Sequence, residues 1–157
     1  MSGAADSGVP TRIVVGTDGS ATAQRAVDRA VGLARAVGAE LIVVSAYLGR
    51  PPARVAAAGI SIDAGWVAAA QGAAEQVARE AAEQAKAVGV ATVSYQAVAG
   101  EPSEALLHVT QEQDADLLVV GSKGMQSTAR FLLGPIANKV SRKVACDLLI
   151  VETSEPA

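Results

Sequence analysis

One feature constrains this chain most. Short runs rich in Val, Ile and Leu recur between longer alanine-rich segments whose apolar residues repeat every three or four positions. That alternation predicts a parallel β-sheet covered by helices, because parallel neighbours must be joined by a crossover long enough to hold a helix. Five strands are expected, over Arg12 to Thr17, Leu41 to Ala46, Thr92 to Ala99, Leu117 to Val120 and Leu148 to Glu152. The third alternates polar and apolar residues (Thr92, Ser94, Gln96) and reads as a sheet edge; the near-continuous apolar runs read as strands buried on both faces. Four helices fall between them. The first runs from about Ala21 to Val37 with Ser20 as N-cap and Gly38 beyond its end, its stripe being Ala26, Ala30, Leu33 and Val37. The second, from about Gly65 to Val88, spaces Val67, Ala70, Ala74, Val77, Ala81, Ala85 and Val88 along one face. The third begins after Pro102 and Ser103, and the fourth after Gly134 and Pro135.

The 157 residues make one α/β domain, placed at 11–153. Residues 1–10 and 154–157 read as loose tails, the C-terminal one starting about Thr153. Alanine supplies 34 residues and aromatics 3% of the chain, so the core must be aliphatic. Most single-stranded nucleic-acid readers, whose platforms need several stacking rings, are thereby excluded. A net charge of −3 provides no field for a polyanion or an anionic membrane, and no apolar stretch reaches the roughly 18 residues of a membrane span. The single cysteine, Cys146, fits a reducing compartment, and the protein is expected to be cytoplasmic.

Ligands of open parallel sheets bind beyond the carboxyl ends of the strands, where strand order reverses. Glycine or another small residue recurs at those ends: Gly16, Thr17, Asp18 and Gly19 after the first strand, Ala46 at the second, Gly100 after the third, Gly121 and Gly124 after the fourth. Asp18-Gly-Ser20 reads equally as an ordinary turn into a capped helix and as a carboxylate placed for nucleoside hydroxyls; for Ser20 the capping role is favoured. The connection from Tyr47 to Ala64, with Pro51 and Pro52, is long enough to be a lid or an unstructured insertion.

The segment Gly121-Ser-Lys-Gly124, nine residues, Gly134-Pro135 is more specific. Glycines three apart can turn successive N–H groups toward one point, and a helix start after Gly134 attracts anions, with Lys123 and Arg130 adding positive charge. It is neither a Walker A loop nor a Rossmann glycine motif.

With these pieces the chain resembles the universal stress protein family. The resemblance rests on Val14 to Ser20, Val44 to Tyr47, Val98 to Pro102, Ala115 to Ser122, and the Leu-Leu-Gly, Asn-Lys-Val-Ser and Cys-Asp-Leu-Leu-Ile-Val pieces that follow. It implies a doubly wound open sheet of order 3-2-1-4-5 with helices on both faces. It also implies a regulatory homodimer through Leu148 to Glu152 acting with other proteins in stress response, and ATP, AMP or cyclic AMP bound between strands 1 and 4, with or without magnesium. By position, Gly16 and Ala46 would wall the adenine, Asp18 would contact the adenosine end, and Val120 and Gly121 would bracket the ribose. Gly124, Gly134 and the N–H groups of Ile136 and Ala137, with Lys123, would meet the phosphates; Thr17 and Gly100 are neighbours, and Tyr47 is the one ring nearby.

One residue departs from the family pattern: Pro135 replaces the serine or threonine after the third glycine, removing a hydroxyl and a backbone N–H together. Ala137 also lacks the hydroxyl that some members have there. A scaffold that has lost its nucleotide, or a weak ATPase, are the alternatives. No catalytic constellation or metal cluster can be assembled. Cys146 reads as a small hydrophobe, His108 as a surface or packing residue, and Lys139, Arg142 and Lys143 as a solvated face that suits a helix C-terminus.

Overall fold

A computed structural model describes residues 8–50, 57–58, 64–123 and 133–153. Strands β1 (Arg12–Gly16), β2 (Glu40–Tyr47), β3 (Val93–Ala99), β4 (Leu117–Gly121) and β5 (Asp147–Val151) alternate with helices α1 (Ala21–Val37), α2 (Ala64–Ala87), α3 (Pro102–Glu112) and α4 (Pro135–Lys143). All strand pairs are parallel, in the order β3-β2-β1-β4-β5 that the family resemblance implies. Strand order therefore reverses between β1 and β4, and β3 is an edge, its Ser94 and Tyr95 exposed.

Strand ends differ from expectation by one or two residues, because pairing partners rather than local composition fix them. Glu40 joins β2 opposite Arg12, and Gly121 joins β4 opposite Val151. Thr17 leaves β1, although its N–H still donates to the Val44 carbonyl at 2.9 Å.

Period-two alternation within the central strands divides the core into two layers. Ile13 and Val15 of β1 pack with Val119 under α1 and α2, while Val14 packs with Leu118 and Val120 under α3 and α4. Toward the sheet, α2 presents alanine alone (Ala74, Ala78, Ala81, Ala82 and Ala85), so helix and sheet approach closely. The expected α1 stripe is rotated: Val27 and Ala34 are buried with Ala26 and Ala30, Leu33 lies at the flank, and Val37 is 39% exposed. Val88, expected on the α2 stripe, is also exposed. Small residues win the central positions because larger ones would hold the helix off the sheet.

The caps follow the sequence. Ser20 Oγ accepts from Ala23 N–H at 3.2 Å, and Gly38 closes α1 in the left-handed region at φ 74°. Thr153 does not begin a loose end: it is wholly buried just past β5. No helix among the described residues is long and apolar enough to cross a membrane. The Tyr47 to Ala64 connection falls largely outside the described residues.

Candidate functional site

At the carboxyl end of the sheet, where β1 and β4 part, lies a cavity of about 160 Å³. Its floor is aliphatic: Val44 and Ala46 from β2, Val120 from β4, and Leu106 from α3. From β1 come Gly16, Thr17 and Asp18, and from the β4 exit Gly121 and Lys123. Three helix N-termini open onto it, through Ser20, Thr22 and Ala23 of the α1 entry, Pro102 of α3, and Gly134, Pro135, Ile136 and Ala137 of α4. Convergent helix starts place partial positive charge around one opening.

Eleven of the anticipated site residues are thus brought together: Gly16, Thr17, Asp18, Ala46, Val120, Gly121, Lys123, Gly134, Pro135, Ile136 and Ala137. Gly100 is not among the lining residues. It ends β3 at φ 130°, its N–H donating to the Tyr47 carbonyl at 2.8 Å, and so serves the turn that follows the edge strand. Tyr47 does not line the cavity either, so the described walls carry no ring. Gly124 and Arg130 lie outside the described residues. Thr22, Ala23, Val44, Pro102 and Leu106 were not anticipated; the first two sit in the first turn of the helix that follows a strand end, which is the signal that would have found them.

The glycines here have packing reasons. A Cβ on Gly16 would stand 2.9 Å from both methyl groups of Leu106, and one on Gly121 would stand 2.9 Å from Thr153 Cγ2. Asp18 holds the turn, its Oδ1 accepting from Ser20 N–H at 2.9 Å, and its exposed side chain borders the cavity.

Lys123 is 8% exposed, lines the cavity, and forms no ion pair among the described residues. A lysine buried this far costs free energy unless its ammonium is paired. At the α4 start, the Gly134 N–H is already committed, donating to the Ser122 carbonyl at 2.7 Å. Pro135 has none, so Ile136 and Ala137 carry the first-turn N–H groups that have no partner within the helix.

The rim between α3 and α4 is tied by an ion pair that the sequence did not reveal. Lys139 Nζ donates to Glu101 at 3.0 Å and to Glu104 at 3.4 Å, and Ser103 Oγ donates to Glu101 at 3.0 Å. The Lys139 ammonium, then Ser103, holds the Glu101 carboxyl below its usual range, and Glu101 in turn raises Lys139. Lys139 thus links α4 to the start of α3 across an exposed rim.

Other candidates stay apart from the cavity. Burial, then the Asp147 and Asp116 carboxylates, pushes the half-buried Cys146 thiol up from its ordinary value. His108, exposed, lies 2.7 Å from Glu112 on its own helix. Among the described residues no group of three or more His, Cys, Asp or Glu is placed to hold a metal ion.

A family model, that of the universal stress protein family, matches residues 10–152. The chain belongs to this family. Universal stress protein Rv1636 of Mycobacterium tuberculosis (strain ATCC 25618 / H37Rv) is 41% identical over 143 residues, which cover 90% of this chain and 96% of that protein. A crystal structure of a universal stress protein in complex with cAMP is 38% identical with a TM-score of 0.68, covering 93% of this chain and 99% of that one. The universal stress protein from Archaeoglobus fulgidus in complex with dAMP shares the fold at 23% identity and a TM-score of 0.65, covering 90% and 98%. Adenine-nucleotide binding thus occurs in members of this universal stress protein's family.

Proposed function

We propose that this universal stress protein binds an adenine nucleotide in the β1–β4 cavity, and that a single phosphate suits it better than three. The observation that carries the reading is Lys123, a nine-tenths buried cation without a carboxylate partner among the described residues, beneath the start of α4. The aliphatic slot of Val44, Ala46, Leu106 and Val120 suits a purine face, and Asp18 at the rim suits ribose hydroxyls. Thr17, Gly16 and Gly121 complete the nucleoside end; the N–H groups of Ile136 and Ala137, with Lys123, meet the phosphate. Relatives in complex with cAMP and dAMP support the ligand class.

The preference for one phosphate follows from the donors left at α4. With Gly134 committed to Ser122 and Pro135 lacking an N–H, the α4 start offers, among the described residues, the N–H groups of Ile136 and Ala137 beside Lys123. That set suits one phosphate group. Among the lining residues Asp18 is the one carboxylate, and it caps a turn, so no general base for hydrolysis is assigned.

Calorimetric titration of AMP, cyclic AMP and ATP into the wild-type chain and a Lys123→Met variant tests the reading. Binding of AMP or cyclic AMP in preference to ATP, weakened by the variant, is expected. No heat from any of the three at millimolar concentration overturns it in favour of a scaffold acting by protein contact, which the loss of donors at Gly134 and Pro135 would favour. Phosphate release from ATP that Lys123→Met abolishes would instead establish a slow ATPase.

We further read the chain as a cytoplasmic homodimer of the stress response, whose ligand alters its contacts with other proteins. Support for the dimer lies at β5, an edge strand whose Leu148, Leu149 and Ile150 are only half-buried. Sedimentation of the wild type and Leu149→Lys tests it: a dimer converted to monomer is expected, and a monomeric wild type overturns it.

A further inference from the structure

Thr153 lies two residues beyond the end of β5 and is 0% exposed. Its hydroxyl donates to the Lys123 carbonyl at 2.8 Å and accepts from the Lys123 N–H at 3.1 Å. One side chain thereby satisfies both main-chain groups of the buried lysine that lines the cavity. The Thr153 N–H donates to Ser122 Oγ at 3.1 Å, and that hydroxyl donates to Glu152 Oε1 at 3.1 Å.

Strand pairing does not require this arrangement. The β4–β5 ladder ends at Gly121 opposite Val151, and the Ser122 N–H adds one more bond, to the Val151 carbonyl at 2.7 Å. Beyond that point the two chains would be free to part. Thr153 keeps them together with a side chain where backbone pairing has stopped, while its methyl fills the space beneath Gly121. Ser122, held from this side, offers its carbonyl to the Gly134 N–H. The residue that presents the cation and the residue that opens α4 are thus located by one buried network.

We propose that Thr153 is the positioning residue of the phosphate end of the site, fixing the Lys123 main chain so that its ammonium and the α4 N-terminus address the same anion. This inference rests on the nucleotide reading given above. Hydroxyl and methyl have separate roles, so they can be separated by substitution. Thr153→Val keeps the shape and loses both bonds to Lys123; Thr153→Ser keeps the bonds and loses the methyl.

Calorimetry with AMP and with adenosine, run on the wild type and both variants, tests the proposal. Thr153→Val is expected to weaken AMP about tenfold while adenosine binds as to the wild type, and Thr153→Ser to hold AMP within about twofold. A purely structural role predicts equal losses for AMP and adenosine. Equal losses, or AMP binding by Thr153→Val at wild-type strength, overturn the proposal. If the wild type itself gives no heat with AMP, both the nucleotide reading and this one fail. Amide hydrogen exchange on the wild type is independent of any ligand and of how the variants fold. The Lys123 N–H should be protected to the same degree as the β4 amides, and exchange at the rate of an unbonded amide overturns the clasp.

Discussion

Gly121 and Thr153 are fitted to each other: a Cβ on Gly121 would stand 2.9 Å from Thr153 Cγ2 and 3.2 Å from its hydroxyl oxygen, and Thr153, wholly buried, has nowhere to move. Gly121→Ala should therefore cost about 1–3 kcal/mol by overpacking, read as a lower urea midpoint. Adding Thr153→Ser removes the nearest atom, so the double variant should recover part of that loss. Additive losses in the double variant would show that the two residues are not coupled.

Lys123→Met should separate binding from stability. Losing a charged hydrogen-bonding partner for phosphate weakens AMP by about ten- to a hundredfold. The variant without ligand should be as stable as the wild type or more so, because a buried ammonium that forms no ion pair among the described residues has been removed. Thermal melts with and without AMP check both halves.

Pro135→Ser restores a backbone N–H and a hydroxyl at the first position of α4. ATP should then bind about tenfold more tightly, with a smaller change for adenosine. Unchanged ATP affinity by calorimetry would show that Pro135 does not limit the phosphate site.

Asp116 should make the fold acid-sensitive. Burial raises its carboxyl, but hydrogen bonds from Thr11 N–H at 2.8 Å, Thr11 Oγ1 at 3.0 Å and Arg12 N–H at 3.0 Å outweigh this and leave it below the ordinary 3.8. A carboxyl depressed in the folded state binds fewer protons folded than unfolded. Its contribution is present above 3.8 and is lost as pH falls through that value and the lower folded one. Urea midpoints of the wild type should fall over that range, and those of Asp116→Asn should fall less.

Much of the site was legible because it is made of strand ends. Gly16, Asp18 and Gly121 follow aliphatic runs directly, and once the sheet is parallel those positions must lie at one edge. Ser20 and Gly38 were legible as caps because each acts on backbone within four residues of itself. The Lys139–Glu101 brace was not, because 38 residues separate its partners and nothing local marks either. Gly100 stands at a strand end as the others do, but on the edge strand, and it is not among the lining residues although Pro102, two positions on, is.

By itself the sequence determined the alternation of strands and helices, the aliphatic core and the glycine-rich strand ends, because periodicity and capping act over a few residues. The family resemblance added strand order. Only the tertiary structure decided which polar groups at the cavity are already committed to one another. The Gly134 N–H is consumed by the Ser122 carbonyl twelve residues earlier, and Lys123 is buried with its main chain held by Thr153, thirty residues later. Such facts arise where distant segments meet and satisfy each other's polar groups, and no local pattern of residues encodes that meeting.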